Sequence, residues 1–551
     1  MRILSTQPSQ LWPASSNLLF EQFCKEYGSY YPEELSSYGL GQFDNRTLYL
    51  DVDQEEVEKS LINRWKKIIK KHQEISEEPE LIIDLNAFLS FLSRKEAHIR
   101  ATQDHQIIPF FQPSAFIHDS VIPLLGENKL ITARSRLASY LIGNCDEPNL
   151  FEMHKQRVLS LIGKYKNPLY PYHRQVKKYI ETSPYYLENI KRHFIATGFQ
   201  GWEEVFKRLT EAIADYQDFI EKHILPSSRM DTQLNPLDWY ISALATHGIG
   251  DDPKILVDTA ASDFDPLLTR WRRLSSNIAS KYNLSDQDPV SVFSYFRNLA
   301  SKDPKEICRI YEKARKEVDS ILQSTHFYHL PSNSRFVVRI GSTLESLTIP
   351  YPDLRVPKLL NKNPQEIEFV LPDPRLDDVG DEDYCLPAAL SLLVHEGWPG
   401  HAYHIQWFQE HTFSDIRKSF LFSSALAEGW AVYGEWTLLE YLPIEAQFIT
   451  LQTLIWRCCR MIIEPQLYMR KISPGQAMEF LQQTVGLSAA TAATEIDRYT
   501  FIMPGQAPCY YYGYKKISDF QGQRKALMQE EFSAPSFHKE LIEQELYRLF
   551  F

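Results

Sequence analysis

The sequence has few cysteines for its length, and their spacing fits neither a disulfide scaffold nor a cysteine-based metal site. The seven cysteines among 551 residues are scattered, their number is odd, and no CxxC pair occurs. Disulfide-rich domains and zinc ribbons need closely spaced cysteines. The cysteine content is therefore typical of a protein whose thiols stay reduced, and it predicts a cytoplasmic location.

Long apolar runs are also missing. No segment reaches 18 consecutive apolar residues, so the sequence predicts no membrane-spanning helix and no membrane partner. The first twenty residues lack a continuous apolar stretch followed by a small-residue cleavage site. We therefore expect a protein that is neither secreted nor membrane-spanning.

The chain has no surplus of positive charge. Its 59 lysines and arginines are outnumbered by 71 aspartates and glutamates, which gives a net charge of −12. Binding to a phosphate backbone depends on basic side chains, so nucleic acid is not expected as a partner. The motifs GxGxxG, GxxxxGK[ST] and GxSxG are absent as well, which excludes the commonest nucleotide-binding and serine-hydrolase patterns.

Apolar residues recur at helical spacing along most of the chain, which predicts a mainly α fold. The clearest stretches are 54–75, 80–101, 175–195, 201–224, 265–282, 287–322, 385–398, 401–411, 423–442, 446–470, 474–484 and 487–499. Between about 335 and 371, the segments RFVVRIG, SLTIPYP and IEFVLP alternate or are β-branched, which predicts short strands. We therefore expect a small β-sheet just before the segment with the candidate metal ligands.

The segment HEGWPGH (395–401) follows an apolar helix and carries the residue types of a zinc hydrolase. A neutral imidazole such as that of His395 is a common zinc ligand, and the adjacent Glu396 can act as a general base toward water at the metal. In the usual HExxH pattern the two histidines are four residues apart and share one helix face. Here His401 follows His395 after six residues, so the usual geometry does not apply.

The residues Pro399 and Gly400 account for the unusual spacing. On an unbroken helix with about 100° per residue, the two histidines would differ by about 240° and could not bind one ion. A Pro-Gly pair cannot continue a regular helix. The sequence therefore predicts that one helix ends near Trp398, that a new helix begins at His401, and that both imidazoles face one ion.

A third ligand is predicted from the segment AEGWAVYGE (427–435). Glu428 and Glu435 are seven residues apart and share a helix face among small residues, which would let a second helix approach closely. We interpret Glu428 as the third ligand, and a solvated helix face is the alternative. His404 forms a rival HxxH pair with His401, but it lies about half a turn off the face of His395. A supporting position near the metal is therefore predicted for it.

Three motifs in a fixed order resemble one known family. They are HEGWPGH (395–401), EGWAVYGE (428–435) and the tract from WRCCR (456–460) to DRYTFIMPGQAPCYYYG (497–513). They are similar to the bacterial family catalogued as domain of unknown function 885, which shows HExxPGH, EGWAxYxE and RYxxxPGQAxxYxxG in that order. The resemblance is specific over about 385–517.

The resemblance implies a mainly helical fold akin to thimet oligopeptidase, angiotensin-converting enzyme and related gluzincins. It also implies that His395, His401 and Glu428 bind zinc and that Glu396 is the base. The sequence departs from the family pattern at two places. Ala402 replaces the second histidine of PGHH, and IEPQLY (463–468) has Glu464 for the acid and Tyr468 where a histidine is usual. The metal site is expected to survive both departures, whereas substrate choice is expected to differ.

The stretch that follows the last predicted helix is interpreted as the substrate side of the site. A tyrosine hydroxyl can donate to a tetrahedral oxyanion without adding charge. Tyr510, which matches the family's tyrosine, is the first candidate and Tyr499 is the second. Arg498 is predicted to hold a peptide C-terminus or to orient a buried acid, with a structural salt bridge as the alternative. Gln506 and His538 complete the predicted substrate-binding set, although a lone histidine is more often structural.

These patterns together predict a mainly α, two-lobed metallopeptidase-like fold. An N-terminal helical lobe (1–325) precedes a catalytic lobe (326–551) with the small sheet beside the active-site cleft. The predicted function is zinc-dependent cleavage of short peptides, carboxypeptidase- or oligopeptidase-like, in which Glu396 activates the zinc-bound water. A zinc hydrolase of a non-peptide amide or ester and a non-catalytic helical binding module are the alternatives. The predicted cofactor is Zn²⁺ and the predicted partner is a small peptide.

Overall fold

A computed structural model describes residues 12–48, 53–142, 148–230, 233–331, 333–349, 351–361, 366–376, 383–412, 414–420 and 423–550. The first nine helices are α1 (Trp12–Tyr27), α2 (Pro32–Tyr38), α3 (Gln54–Ile75), α4 (Pro79–Asp104), α5 (Pro113–Gly126), α6 (Leu130–Ser139), α7 (Leu150–Lys164), α8 (His173–Thr197) and α9 (Glu203–Phe219). The next are α10 (Leu237–Thr246), α11 (Pro253–Tyr282), α12 (Pro289–Arg297), α13 (Pro304–Thr325), α14 (Thr343–Thr348), α15 (Leu386–Leu392), α16 (His401–His411) and α17 (Asp415–Phe420).

The remaining helices are α18 (Ser424–Leu438), α19 (Ile444–Tyr468), α20 (Pro474–Val485), α21 (Ala489–Asp497), α22 (Cys509–Met528), α23 (Ala534–Glu540) and α24 (Leu546–Phe550). Turns of π-helix extend several of them, including Leu393–Gly397 after α15 and Arg498–Ile502 after α21. The predicted mainly α fold with a small sheet is confirmed. One predicted helix, 287–322, is instead the pair α12 and α13. The break occurs because Asp303 caps a new helix start by accepting from the Lys305 amide at 3.0 Å.

Three short strands form the sheet, β1 (Phe336–Ile340), β2 (Asp353–Arg355) and β3 (Ile367–Leu371). Strand β3 lies in the middle, parallel to β1 and antiparallel to β2. The prediction that SLTIPYP forms a strand was wrong, because its first residues belong to α14. A capping box between Ser342 and Glu345 stabilises the start of that helix. Pro350 lies outside the described residues.

The chain divides into two compact units. The first takes the described residues of 1–233, 358–363 and 413–421, and the second takes those of 234–357, 364–412 and 422–551. The division proposed from the sequence, after residue 325, therefore falls inside the second unit. Helices α11 and α13 belong there because α11 packs along α19 and α13 packs on α15. Within the described part of the chain, no helix combines the length and apolar content that a membrane crossing needs.

The candidate site lies wholly in the second unit, where α18 and α22 pack closely along each other. Glycines make this approach possible. A Cβ atom on Gly429 would lie 2.4 Å from the Gly513 Cα atom, and a Cβ atom on Gly513 would lie 2.0 Å from the Ala425 carbonyl oxygen. The prediction that the small residues of α18 let a neighbouring helix approach closely is confirmed. This seam fixes Glu428, on α18, against the residues of α22.

Candidate metal centre

The helix break predicted at Pro399 and Gly400 is confirmed. Helix α15 continues into the π-helical turn Leu393–Gly397, which carries His395. Trp398 then has an extended backbone, with φ −118° and ψ 129°, and α16 starts at His401 with Gly400 as its N-cap. The two imidazoles therefore belong to separate helical segments, and their ring centroids lie 4.7 Å apart at an angle of 85°.

The turn folds back tightly on the segment that precedes it. The Gly400 amide donates to the Val394 carbonyl at 3.1 Å, and the indole of Trp430, on α18, donates to the Pro399 carbonyl at 2.9 Å. A Cβ atom on Gly400 would lie 1.8 Å from the His395 carbonyl oxygen. Only glycine fits this position without a backbone shift.

Replacing Gly400 with alanine is therefore expected to destabilise the protein by about 3 kcal/mol, at the upper end of overpacking costs, because the contacted atom belongs to the backbone. The same shift would move His395 or His401, so zinc affinity should fall as well. Gly522→Ala on α22, where no atom lies within 4 Å of the added carbon, is the matched control. Denaturant unfolding and zinc titration of both variants check this. Equal stability and zinc affinity in the two variants would contradict the tight-turn interpretation.

Three side chains from the break and from α18 converge on one point. Ligand atoms of His395, His401 and Glu428 all lie within 4.8 Å of one another. Glu428 Oε2 is 3.1 Å from His401 Nε2 and 3.5 Å from His395 Nε2. Two ligands of a tetrahedral zinc ion, at metal distances of about 2.0–2.1 Å, would lie about 3.4 Å apart. The three residues thus fit the metal that the sequence predicts.

The second nitrogen of His395 is held by a carboxylate. His395 Nδ1 lies 2.5 Å from Glu435 Oε1. Glu435 follows Glu428 by about two helical turns on α18. Arg457 donates to the other oxygen of Glu435 at 2.9 Å. A carboxylate at Nδ1 favours a proton on that atom and leaves the Nε2 lone pair directed to a metal. Metal-binding histidines usually have such a partner, so this contact supports the assignment of His395.

The electrostatics of the group favour a cation at its centre. Burial and Arg457 lower the pKa of His395, but contacts with Glu428 and Glu435 outweigh them and raise it to about 9. Burial raises the pKa of Glu428, but the two histidines hold it well below its usual range. Glu428 is therefore charged near neutral pH, as a metal ligand must be.

Glu396 lies beside the three ligands. Its Oε1 atom is 4.0 Å from His395 Nε2, and its side chain keeps 15% of its exposure. Burial raises the pKa of this carboxyl, although His395 and His401 oppose the effect. A carboxylate with a raised pKa next to a metal position is suited to accept and return a proton.

Tyr510 faces the same centre from α22. Its ring lies nearly parallel to that of His395, with 6.3 Å between centroids. The Arg498 guanidinium donates to the Tyr510 hydroxyl oxygen at 2.9 Å and also to the Gln506 amide oxygen. Gln506 Nε2 is 3.5 Å from Glu428 Oε1. Burial raises the pKa of Tyr510, so the phenol stays protonated and, with its oxygen accepting from Arg498, can donate its own proton.

Tyr499 lies in a neighbouring buried network. Its hydroxyl donates to Glu495 at 2.6 Å, and Arg460 donates to both oxygens of that carboxylate at 2.7 and 2.8 Å. Burial raises the pKa of Glu495, but Arg460 and Arg498 lower it to about 2. The Tyr499 hydroxyl is thus committed to Glu495, which leaves Tyr510 as the better candidate for an oxyanion donor.

His538 contacts residues away from the three ligands. Its Nε2 atom lies 2.8 Å from the Tyr433 hydroxyl, its Nδ1 atom lies 2.8 Å from the Phe327 carbonyl, and its ring stacks on Tyr328 at 4.4 Å. Both nitrogens have partners inside the fold, so the geometry does not support contact with substrate. His404 is buried under Trp430, and among the described residues it is not part of the ligand group.

Glu464 and Tyr468, two of the residues that depart from the family pattern, bind backbone atoms of the segment 499–505. Glu464 accepts from the Gly505 amide at 2.6 Å, and the Tyr468 hydroxyl donates to the Tyr499 carbonyl at 3.0 Å. Gly505 has φ +86°, and a Cβ atom there would lie 2.8 Å from the backbone of α10. This turn delivers Gln506 to the site.

Four residues of these polar networks were not assigned roles from the sequence, namely Glu435, Arg457, Arg460 and Glu495. A signal for two of them exists in WRCCR (456–460), where two arginines lie three residues apart within the otherwise apolar stretch 454–463. Buried arginines need acidic partners. The sequence therefore predicts acidic partners for both arginines but does not identify which acids they are.

Comparisons with known proteins give a family and a fold. The sequence model of the family described as "Bacterial protein of unknown function (DUF885)" matches residues 172–544. A candidate lipoprotein of unknown function from Shewanella oneidensis has a similar solved structure, with TM-score 0.74, 16% identity, and 96% of this chain and 98% of that chain covered. A candidate lipoprotein from Colwellia psychrerythraea gives TM-score 0.75, 14% identity and 98% coverage of both chains. At these identities the likeness shows the fold alone. No curated protein matches the sequence significantly.

Proposed function

The chain belongs to the bacterial family of unknown function DUF885, and we propose that it is a zinc-dependent hydrolase that cleaves peptide bonds of short peptides. One observation carries the proposal. His395, His401 and Glu428 bring their ligand atoms within 4.8 Å of one another, and Glu396 lies next to them. Two imidazoles, one carboxylate ligand and an adjacent general base are the residue set of metallopeptidase sites.

In this proposal His395, His401 and Glu428 hold the ion, and Glu435 fixes the orientation of His395. When bound there, zinc would supply a Lewis acid that polarises a substrate carbonyl and makes water more acidic. Glu396 takes the proton from the attacking water and later delivers it to the leaving amine. Tyr510 donates a hydrogen bond to the carbonyl oxygen as negative charge develops on it.

The proposed fold relationship is to gluzincin peptidases of the thimet oligopeptidase and angiotensin-converting enzyme type. It is supported by the helical architecture and by the position of the sheet, because the Phe336 ring of β1 packs against Gly397 beside His395. The cytoplasmic location stays a prediction, and the description of both structural neighbours as candidate lipoproteins argues against it.

Purified protein tests the proposal directly. We expect about one zinc ion per chain by metal analysis, cleavage of a mixed peptide library, loss of cleavage after chelation and recovery after zinc is restored. Activity on amide or ester substrates without any peptide cleavage would favour the non-peptide hydrolase. Zinc-loaded protein that turns over none of these substrates would favour a binding module and contradict the proposal.

A further inference from the structure

Three arginines lie around the proposed zinc site, and two of them donate hydrogen bonds to carboxylates. Arg457 donates to Glu435 at 2.9 Å. Arg460 donates to both oxygens of Glu495 at 2.7 and 2.8 Å. These two pairs balance in charge. The third cation, Arg498, is bound differently.

Arg498 donates to two neutral oxygens, the Tyr510 hydroxyl at 2.9 Å and the Gln506 amide. Its guanidinium also pairs with Glu495 at 3.6 Å, a distance beyond that of a hydrogen bond. Glu495 already accepts from Arg460 and Tyr499. The Arg498 side chain keeps 22% of its exposure, so a ligand can reach it.

The remaining carboxylates near the centre do not neutralise Arg498 once a metal is bound. Glu428 would coordinate the divalent ion and Glu396 would lie beside it, so these two negative charges balance the ion. Arg460 and Arg498 then share the single negative charge of Glu495, which leaves one positive charge in excess beside the site. Such an excess charge is costly, and an incoming anion relieves the cost. A guanidinium is especially suited to a carboxylate, which it can bind with paired hydrogen bonds.

We propose that the site takes substrates that carry a carboxylate close to the bond that is cleaved, and that Arg498 binds this carboxylate. The carboxylate is supplied either by the free C-terminus of the peptide or by an acidic side chain. This inference rests on the zinc peptidase function proposed above. Of the two modes predicted from the sequence, a free C-terminus as the source would give carboxypeptidase-like cleavage, whereas an acidic side chain would also allow cleavage within longer peptides.

Three peptides that differ only in their last residue or its terminal group test the proposal: one with a free C-terminus, the same peptide amidated, and an amidated peptide with glutamate as its last residue. We expect the free acid or the glutamate peptide to be preferred over the plain amide by about 10- to 150-fold in kcat/KM. Which of the two is preferred identifies the source of the carboxylate. In Arg498→Gln the preference should disappear, mainly through KM, and Arg498→Lys should restore part of it.

Arg309→Gln is the matched control, because Arg309 is an exposed arginine of α13 that pairs with Glu306 on the helix surface. Its substrate preference should be unchanged. If Arg498→Gln slowed all three peptides equally, Arg498 would act only by positioning Tyr510 and Gln506, and the proposal would be overturned. Equal cleavage of all three peptides by the unmodified enzyme would overturn it too.

Binding separates this inference from the proposed function. The same peptides are titrated into zinc-loaded Glu396→Gln protein, with and without Arg498→Gln. Selective, Arg498-dependent binding without any hydrolysis by the unmodified enzyme would support the carboxylate site and contradict the peptidase. Hydrolysis of the peptides without such selectivity would support the peptidase and contradict the carboxylate site. Absence of both binding and hydrolysis would contradict both.

Discussion

Glu396→Gln is expected to lower turnover of a cleaved peptide by about 10²- to 10⁴-fold, or about 3–5 kcal/mol of transition-state stabilisation. The substitution keeps the size and polarity of the side chain but removes its ability to take and return a proton. The ligand atoms of His395, His401 and Glu428 are unchanged, so zinc content and unfolding midpoint should stay close to those of the original protein. Steady-state kinetics, metal analysis and thermal unfolding measure the three quantities.

The control is Glu479→Gln on the exposed surface of α20, which removes a carboxylate of the same unit that accepts from Gln483 on that helix. It should leave turnover unchanged. Near-normal hydrolysis by Glu396→Gln would show that another group is the base. Loss of zinc in that variant would instead indicate that Glu396 helps to hold the ion.

The break between His395 and His401 could be predicted because its cause is local. Pro399 lacks an amide hydrogen. A Cβ atom at position 400 would lie 1.8 Å from the His395 carbonyl oxygen, so only glycine fits there. Both effects therefore come from two adjacent residues. The same holds for α3, which begins and ends at the predicted residues, 54 and 75. Its apolar residues follow one helical period throughout.

The partners of buried polar groups could not be predicted, because they come from segments far apart in the chain. Tyr499 was considered an oxyanion donor from its place after α21, but its hydroxyl meets Glu495 in the same buried network as Arg460. His538 is similar, since Tyr433 and Phe327 occupy its two nitrogens. Sequence spacing gives residue types that suit a site, whereas packing decides which of them face it.

Two predicted boundaries, one of a strand and one between the two units, differ from the structure for a related reason. Alternating residues in SLTIPYP suggested a strand, but the capping box at Ser342 starts a helix there, and local hydrogen bonds outweigh β propensity over so short a segment. The proposed division after residue 325 missed α11 and α13, whose apolar faces pack on α19 and α15 in the second unit. An amphipathic pattern shows that a helix has a buried face but not which element covers it.

His395→Ala, His401→Ala and Glu428→Ala are each expected to weaken zinc binding by orders of magnitude. An apparent zinc affinity of about 10–16 kcal/mol shared among the three protein ligands gives about 3–5 kcal/mol for each, which is about 10²- to 10⁴-fold in dissociation constant. Each of the three supplies an atom within 4.8 Å of the other two, and the charge of Glu428 adds to its share. Competition titration against a chelator of known affinity measures the loss, and peptide cleavage should fall in parallel.

His404→Ala is the informative comparison, because His404 forms the rival pair with His401 in sequence but lies buried against Trp430. Burial and His401 lower its pKa to about 3, so it is neutral at the pH of the titration. Removing it should lower the unfolding midpoint through lost packing while the folded protein still binds about one zinc ion. Unchanged zinc affinity in His395→Ala, or complete loss of zinc binding in folded His404→Ala, would move the metal site to another set of residues and with it the roles assigned to Glu396 and Glu435.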